Sequence, residues 1–312
     1  MNAAHLHLLL NHAPTVGTVA AVGLLLLAFV RRNESLKHVA LEVLVVIAIV
    51  SVPVYITGVG AARALRQQPD VSDFAMRLHQ DVALWGFTFL EFAGFAAWVA
   101  LWKIRRGGAA RASVAAATVL SILALAVMGR AANLGGEIRH PEIRAGSAAT
   151  PQVAEDDPQQ FIAGQITQLM VTSRWAMPAG ETLHFLGMSL SFGVLLAVNL
   201  RILGVMRQVP WRQVHRLLPW GMLGFGVNLI TGMLFFVGQP GQYVDSPPFF
   251  WKVVFLMIAG GNFLYLTVFS GAWAREGWDA GLADKAMAVV SLASWVAILY
   301  AGRMLPFLGN AF

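Results

Sequence analysis

The sequence predicts an all-α polytopic membrane protein whose eight transmembrane helices form two parallel four-helix repeats. Three observations predict this fold. Hydrophobic residues make up 57% of the 312-residue chain and charged residues only 12%, a composition outside the range of soluble proteins. Apolar runs of about twenty residues recur, and each can cross about 30 Å of hydrocarbon as a helix. Finally, short motifs of the first half return in the second half at a near-constant offset.

Helices are the expected spanning elements, because lipid cannot satisfy free backbone donors and the alternating pattern of a membrane barrel is missing. The apolar runs place the eight spans at 8–30, 38–60, 77–102, 112–134, 181–206, 215–238, 249–272 and 283–306. The first five residues contain neither a basic region nor a cleavage signal, so we expect the first span to be retained.

Three pairs of motifs define the internal repeat. The members of each pair are separated by nearly the same length of chain, and the pairs are His12 with His184, Thr57-Gly58 with Thr231-Gly232, and Gly129-Arg130 with Gly302-Arg303. The repeat predicts a first four-helix unit over 1–145 and a second over 181–312. Between them, 146–180 is predicted to be an extracytoplasmic linker containing an amphipathic helix, which lies on the membrane interface or packs against the bundle.

The basic residues predict the orientation. Thirteen of the 22 Lys and Arg residues lie in or beside the connections after odd-numbered spans. The positive-inside rule therefore places both termini outside the cytoplasm, in the periplasm if the protein spans a bacterial inner membrane. The net charge of +6 is explained by these basic loops, which are attracted to anionic lipid. The charge therefore gives no reason to expect nucleic acid as a partner.

Residue usage excludes several kinds of site. The chain has no cysteine, which excludes disulfides, thiolate metal sites and covalent haem attachment. It also lacks a phosphate-binding loop, a His-Glu-x-x-His motif and the Ser-His-Asp order of a hydrolase, so we predict no catalytic residue.

Three histidines lie at a similar depth within their spans. His12, His79 and His184 are all far from the basic residues that mark the cytoplasmic ends of their helices, which places the three in the outer leaflet. Two imidazoles on neighbouring helices of a four-helix bundle are the axial ligands that haem b requires. We therefore predict that His12 and His79 bind one haem b, with Arg130 pairing a propionate. A copper or zinc site and a structural hydrogen-bond network are the alternatives.

The second unit lacks one of these ligands. At the offset of the repeat, the residue that corresponds to His79 is Lys252, and a protonated lysine is a poor iron ligand. One interpretation is that Lys252, Arg303, Glu181 and His184 form a polar pocket for a quinone or an anion. The other is that His184 binds a second haem together with another ligand such as His140. We expect one haem per chain and the polar pocket.

Glu91 is the acidic residue that the sequence places near mid-membrane. It lies twelve residues further along its span than His79, which is about 18 Å deeper. A carboxylate there is costly if charged. The sequence leaves two roles open, a proton relay and a protonated side chain bonded to a neighbouring helix.

Short motifs in both halves resemble known families. Asn11-His12-Ala13-Pro14, the His79 span and Asn133-Leu134-Gly135-Gly136-Glu137-Ile138 resemble uncharacterised bacterial four-helix membrane domains of b-type cytochrome character. In the second half, Glu181-Thr182-Leu183-His184, the run from Asn199 to Gly204, and Ile230-Thr231-Gly232 are similar to another uncharacterised bacterial membrane family with a Leu-Arg-Leu-Leu-Gly type signature. The resemblance implies membrane redox work.

These observations predict an electron-transfer subunit of the bacterial inner membrane. Such a subunit would exchange electrons between the quinone pool and a periplasmic electron-transfer protein or a larger respiratory complex, as part of a quinone-linked oxidoreductase. Two other classes fit the same sequence. A transporter of small solutes or ions also uses parallel repeats and midplane carboxylates. A membrane anchor subunit would need the helices alone.

Overall fold

A computed structural model describes residues 3–66, 71–139, 160–271 and 280–308, and every regular element in these ranges is helical. Eight helical segments are long and apolar enough to cross a membrane, which confirms the all-α fold and the eight spans. They are Ala3–Arg31, Glu34–Leu65, Asp73–Ile104, Arg111–Ile138, Ala176–Leu203, Trp211–Gly238, Pro247–Phe269 and Leu282–Phe307.

The α-helices follow one another along the described chain in the order expected for these spans. They are α1 (Ala3–Leu10), α2 (His12–Arg31), α3 (Glu34–Leu65), α4 (Asp73–Ile104), α5 (Arg111–Arg139), α6 (Ile162–Thr172), α7 (Ala176–Leu203), α8 (Trp211–His215), α9 (Leu218–Gly238), α10 (Pro247–Leu264) and α11 (Leu282–Leu308).

Capping residues in the sequence mark several helix ends. The Asn33 side chain accepts a hydrogen bond from the Leu36 amide at 3.0 Å and so begins α3. Ser72 does the same for the amide of Ala75 at the start of α4, at 3.3 Å. At the end of α7, Gly204 takes a left-handed backbone conformation with φ of 90°, which a residue without a Cβ adopts freely.

The chain folds into two compact units, Met1–Gln165 and Ile166–Phe312. Their boundary falls inside the segment predicted as a linker. The predicted amphipathic helix is α6, which begins just after Phe161. In unit 1, the Asp81 carboxylate accepts a hydrogen bond from the Ala163 amide at 3.2 Å, and the Phe161 ring lies 5.9 Å from that of Phe74. These contacts favour packing against the bundle.

Unit 1 is a closed ring of four spans. Helices α2, α3, α4 and α5 each pack on the next, and α5 returns to α2. The first span is broken at Asn11, where Pro14 removes the backbone donor that would bond one turn back. The short α1 before the break packs on α3, so the first span begins earlier in the chain than predicted and includes His7.

Unit 2 repeats this neighbour order with one difference. Helix α7 packs on α9, α10 packs on α11, and α11 returns to α7. Helices α9 and α10 meet instead through large aromatic side chains: the rings of Phe225 and Phe263 lie 6.2 Å apart, and those of Phe236 and Phe249 stack at 5.5 Å. In unit 1, α3 and α4 approach so closely that a Cβ at Gly94 would overlap the Cβ of Ala48.

Candidate functional site

Two histidines of unit 1 are oriented in the same way. Nδ1 of His7 lies 3.0 Å from the carbonyl oxygen of Val54 in α3, and Nδ1 of His79 lies 2.8 Å from that of Ala131 in α5. A carbonyl oxygen only accepts, so Nδ1 carries the hydrogen in both rings, and each neutral ring keeps its lone pair on Nε2. The two imidazoles are close enough for a charge on one to act on the other.

A glycine one turn after each carbonyl admits the imidazole. A Cβ at Gly58, four residues after Val54, would lie 2.9 Å from Cε1 of His7. A Cβ at Gly135, four residues after Ala131, would lie 3.2 Å from Cε1 of His79. Any larger side chain would push the ring away from the helix backbone. Both histidines therefore bond to a backbone carbonyl over a glycine in the same local arrangement.

The structure brings His79 close to His7, where the sequence predicted His12. His12 opens α2 just after the break in the first span and is exposed. The length of chain between His184 and Thr231 is slightly closer to that between His12 and Thr57 than to that between His7 and Thr57. The sequence spacing therefore favoured His12. Gly58 was the available signal, since it leaves space on α3 for a ring that reaches the helix from α1.

Arg130 and His140 are the further residues that the sequence predicted near haem. The Arg130 side chain is exposed. Arg130 is the residue before Ala131, whose carbonyl bonds to His79. His140 lies outside the described residues. Its prediction as an alternative ligand for His184 stays a prediction.

Unit 2 places His184 against α9. Its Nδ1 lies 2.8 Å from the hydroxyl oxygen of Thr231, which itself donates to the Val227 carbonyl at 2.8 Å. The amide nitrogen of Asn228 donates to the His184 carbonyl at 2.8 Å and lies 3.2 Å from Nδ1. Beyond Thr231, a Cβ at Gly232 would lie 3.7 Å from Cε1 of His184. His184 and Thr231-Gly232 thus correspond to His7 and Thr57-Gly58.

Lys252 lies within electrostatic range of His184. Its charge is close enough to act on the imidazole, and its Nζ would lie 3.6 Å from a Cβ at Gly302 in α11. Arg303 is exposed, and its guanidinium carbon lies 5.5 Å from the centroid of the Phe307 ring. The exposed Glu181 is near Tyr243, in the connection between α9 and α10.

Glu91 forms a hydrogen bond between two spans of unit 1. Its Oε1 lies 2.6 Å from Oγ of Ser51, and the same Oγ lies 2.8 Å from the Ala48 carbonyl oxygen. A serine hydroxyl has one hydrogen for these two oxygens. If Ser51 donates to Ala48, as serine in helices often does, Glu91 must be protonated and donate to Ser51.

The donor types limit what these sites can hold. Among the described residues there is no group of three or more His, Asp or Glu side chains that could surround a metal ion. A tetrahedral zinc site needs three or four protein ligands, whereas a haem needs only two axial ones. The imidazole pair of unit 1 offers two nitrogen lone pairs, the number that the axial positions of a haem need.

Comparison of the chain with family models, with curated proteins and with solved structures found no match.

Proposed function

We propose that the protein is a membrane electron-transfer subunit that binds one haem b in unit 1, with His7 and His79 as the axial ligands. The supporting observation is the pair of Nδ1 hydrogen bonds to Val54 and Ala131. Ligating histidines commonly donate their second ring nitrogen to a backbone carbonyl, which fixes the ring orientation and raises the basicity of the ligating nitrogen. One-electron exchange at the iron is the chemistry that haem supplies when bound.

The surrounding chain supports this assignment in two ways. The rings of Tyr55 and Phe87 stack at 4.8 Å between α3 and α4, and such apolar surfaces suit a porphyrin. Both histidines also lie near the starts of the first and third spans, on the same side of unit 1 as the end of the fourth span, where propionates can reach water. This position corresponds to the outer leaflet if the predicted orientation holds.

Electrons would pass between this haem and two partners. The predicted outer position favours a periplasmic electron-transfer protein or the peripheral subunit of a respiratory complex on one side. Within the bilayer, the quinone pool is the lipid-soluble partner. The cytoplasmic loops, rich in Lys and Arg, would hold the protein in the bacterial inner membrane through anionic lipid.

The visible spectrum of the purified full-length protein tests this function. We expect a reducible low-spin haem at a haem-to-protein ratio of about one. The variants His7→Ala and His79→Ala should each lose the low-spin spectrum. The matched controls His12→Ala and His38→Ala should keep it, because neither residue belongs to the pair.

A second measurement separates ligation from a structural role. His79→Gly opens space for a free imidazole, so added imidazole should restore the low-spin spectrum of this variant if His79 is a ligand. An unchanged spectrum in both His7→Ala and His79→Ala would contradict the assignment. So would a wild-type protein that remains free of haem when it is produced with an adequate haem supply.

A further inference from the structure

The Lys252 side chain points into the bundle, although it is long enough to extend to the nearby membrane surface. It lies five residues inside the start of its span, Pro247–Phe269. Lysines at such positions usually extend toward the headgroup region. The Nζ of Lys252 lies instead beside Gly302 of α11 and within electrostatic range of His184. A residue larger than glycine at 302 would occupy the space next to the ammonium group.

The ammonium group has no carboxylate partner in the described part of the chain. Among the described residues, Lys37, Arg66 and Arg77 form ion pairs with carboxylates, and Lys252 forms none. A cation inside a membrane span is costly unless a counter-charge or strong acceptor is nearby. A bound molecule that offers an oxygen acceptor would offset this cost.

The surroundings favour an aromatic ligand over a small hydrated anion. The rings of His184 and Phe235 lie 5.5 Å apart, and the Phe249 ring lies 5.1 Å from Tyr243. An inorganic anion would lose its hydration against these apolar rings, whereas a flat ring bearing carbonyl oxygens gains contact with them. Burial, with a smaller effect of the nearby Glu181 carboxylate, raises the pKa of Tyr243, so its phenol remains a hydrogen-bond donor.

The packing of α9 and α10 differs from that of α3 and α4, the corresponding helices of unit 1. Their backbones are not in the close contact seen between α3 and α4, and aromatic side chains hold them apart. His184 is bonded to α9 through Thr231, and Lys252 belongs to α10. A lipid-soluble molecule entering between these helices would meet both side chains.

We infer that His184 and Lys252 bind the ring of a quinone from the outer leaflet, with Lys252 Nζ donating to one carbonyl oxygen. This inference rests on the proposed function for the choice of a quinone among carbonyl-bearing lipids. Gly302 leaves the space beside Nζ, and Thr231 holds the His184 ring. The site belongs to unit 2 and shares no residue with the imidazole pair of unit 1.

Binding of decylubiquinone to the full-length protein in detergent, followed by quenching of tryptophan fluorescence, tests the site. Lys252→Met removes the ammonium group and keeps a side chain of similar length. Loss of a charge-assisted hydrogen bond should weaken binding at least about tenfold. Lys285→Met is the matched control, because Lys285 lies near the opposite end of α11 from Gly302, and its affinity should equal that of the wild type.

Three binding results would each overturn the inference, in addition to the haem result given below: no quinone binding by the wild type, equal affinity in Lys252→Met, or displacement of the quinone by inorganic phosphate. The last result would assign the site to an anion. Haem content separates this test from that of the proposed function. We expect Lys252→Met to keep its haem, and loss of haem in this variant would place Lys252 at the haem and also overturn the quinone site. Lysine-dependent quinone binding by a chain without haem would uphold this site and reject the haem.

Discussion

In unit 1 the third span carries His79, whose Nδ1 donates to a backbone carbonyl of α5, while the third span of unit 2 carries Lys252, whose Nζ lies beside a glycine of α11. On the first span of each unit, His7 and His184 both lie against a Thr-Gly pair of the second span. One unit thus holds two imidazoles and the other an imidazole with an ammonium group. Two nitrogen lone pairs suit a metal centre, whereas the ammonium donor of Lys252 suits an oxygen-bearing ligand.

The same comparison extends to the contact between the second and third spans. Unit 1 joins them through Ser51 and Glu91, at 2.6 Å, and through the close approach at Gly94. At the offset of the repeat, Phe225 and Leu264 take the places of Ser51 and Glu91, and Phe225 packs on the Phe263 ring. Small and polar residues bring α3 and α4 together, while bulky aromatic residues separate α9 and α10. Repeats with the same helix order therefore differ in which helices pack closely.

Replacing His79 of unit 1 by lysine, the residue at the corresponding position of unit 2, should have the largest effect. In His79→Lys, a protonated ammonium group has no lone pair for the iron, so we expect complete loss of haem. The haem-to-protein ratio measures this, with His184→Ala as a control that should keep its haem. Retention of a low-spin haem in His79→Lys would show that haem binding does not depend on the imidazole of His79.

The close packing of α3 and α4 predicts the next largest effect. Gly94→Ala places a methyl group on the Cβ of Ala48, so the helices must move apart, and we expect a loss of about 1–3 kcal/mol in the free energy of unfolding. Gly260→Ala is the matched control in unit 2, where the added Cβ would lie 3.7 Å from Phe225, an ordinary contact. Reversible unfolding in mixed micelles measures both. Equal losses would contradict the difference in packing between the units.

The two threonines allow a finer comparison. Thr57 and Thr231 each donate to a carbonyl of their own helix at 2.8 Å, but the Thr231 oxygen is 2.8 Å from its histidine and the Thr57 oxygen is 3.5 Å away. Thr231→Val should therefore reduce the free energy of unfolding by about 1 kcal/mol more than Thr57→Val. Thr57→Val should also keep the haem spectrum, because Val54 still orients His7. A greater loss of unfolding free energy in Thr57→Val than in Thr231→Val would contradict the stronger interaction assigned to Thr231 and its histidine.

The smallest effect is expected at Glu91. If its carboxyl group is protonated and donates to Ser51, the amide of Glu91→Gln can donate in its place, and the free energy of unfolding should change by less than about 0.5 kcal/mol. The infrared carbonyl band of a protonated carboxyl group should disappear in this variant. It should persist in Glu34→Gln, which removes an exposed carboxylate paired with Lys37. Loss of a carboxylate band in Glu91→Gln would show that Glu91 is charged.

The fold was largely predictable from the sequence because lipid imposes a simple rule. A span must be apolar for about twenty residues and must satisfy its own backbone donors, so composition and run length identify the helices. The start of the first span, predicted at residue 8 and found at Ala3, is among the least accurate boundaries, together with the end of the second span and the start of the fifth. The polar and histidine-rich residues before Leu8 hide a helix that is stabilised by packing on α3.

The eight spans, the recurring motifs, and the contrast between His79 and Lys252 could be read from the amino-acid sequence alone, because each depends on residue type and spacing along one helix. That His7, one turn and a helix break before His12, approaches His79 is a result of how the helices pack. The approach of His7 to His79 depends on where α1 crosses α3 and on the space that Gly58 leaves there. Contacts between helices depend on side-chain volume at both surfaces, and a constant offset along the chain carries no information about the second surface.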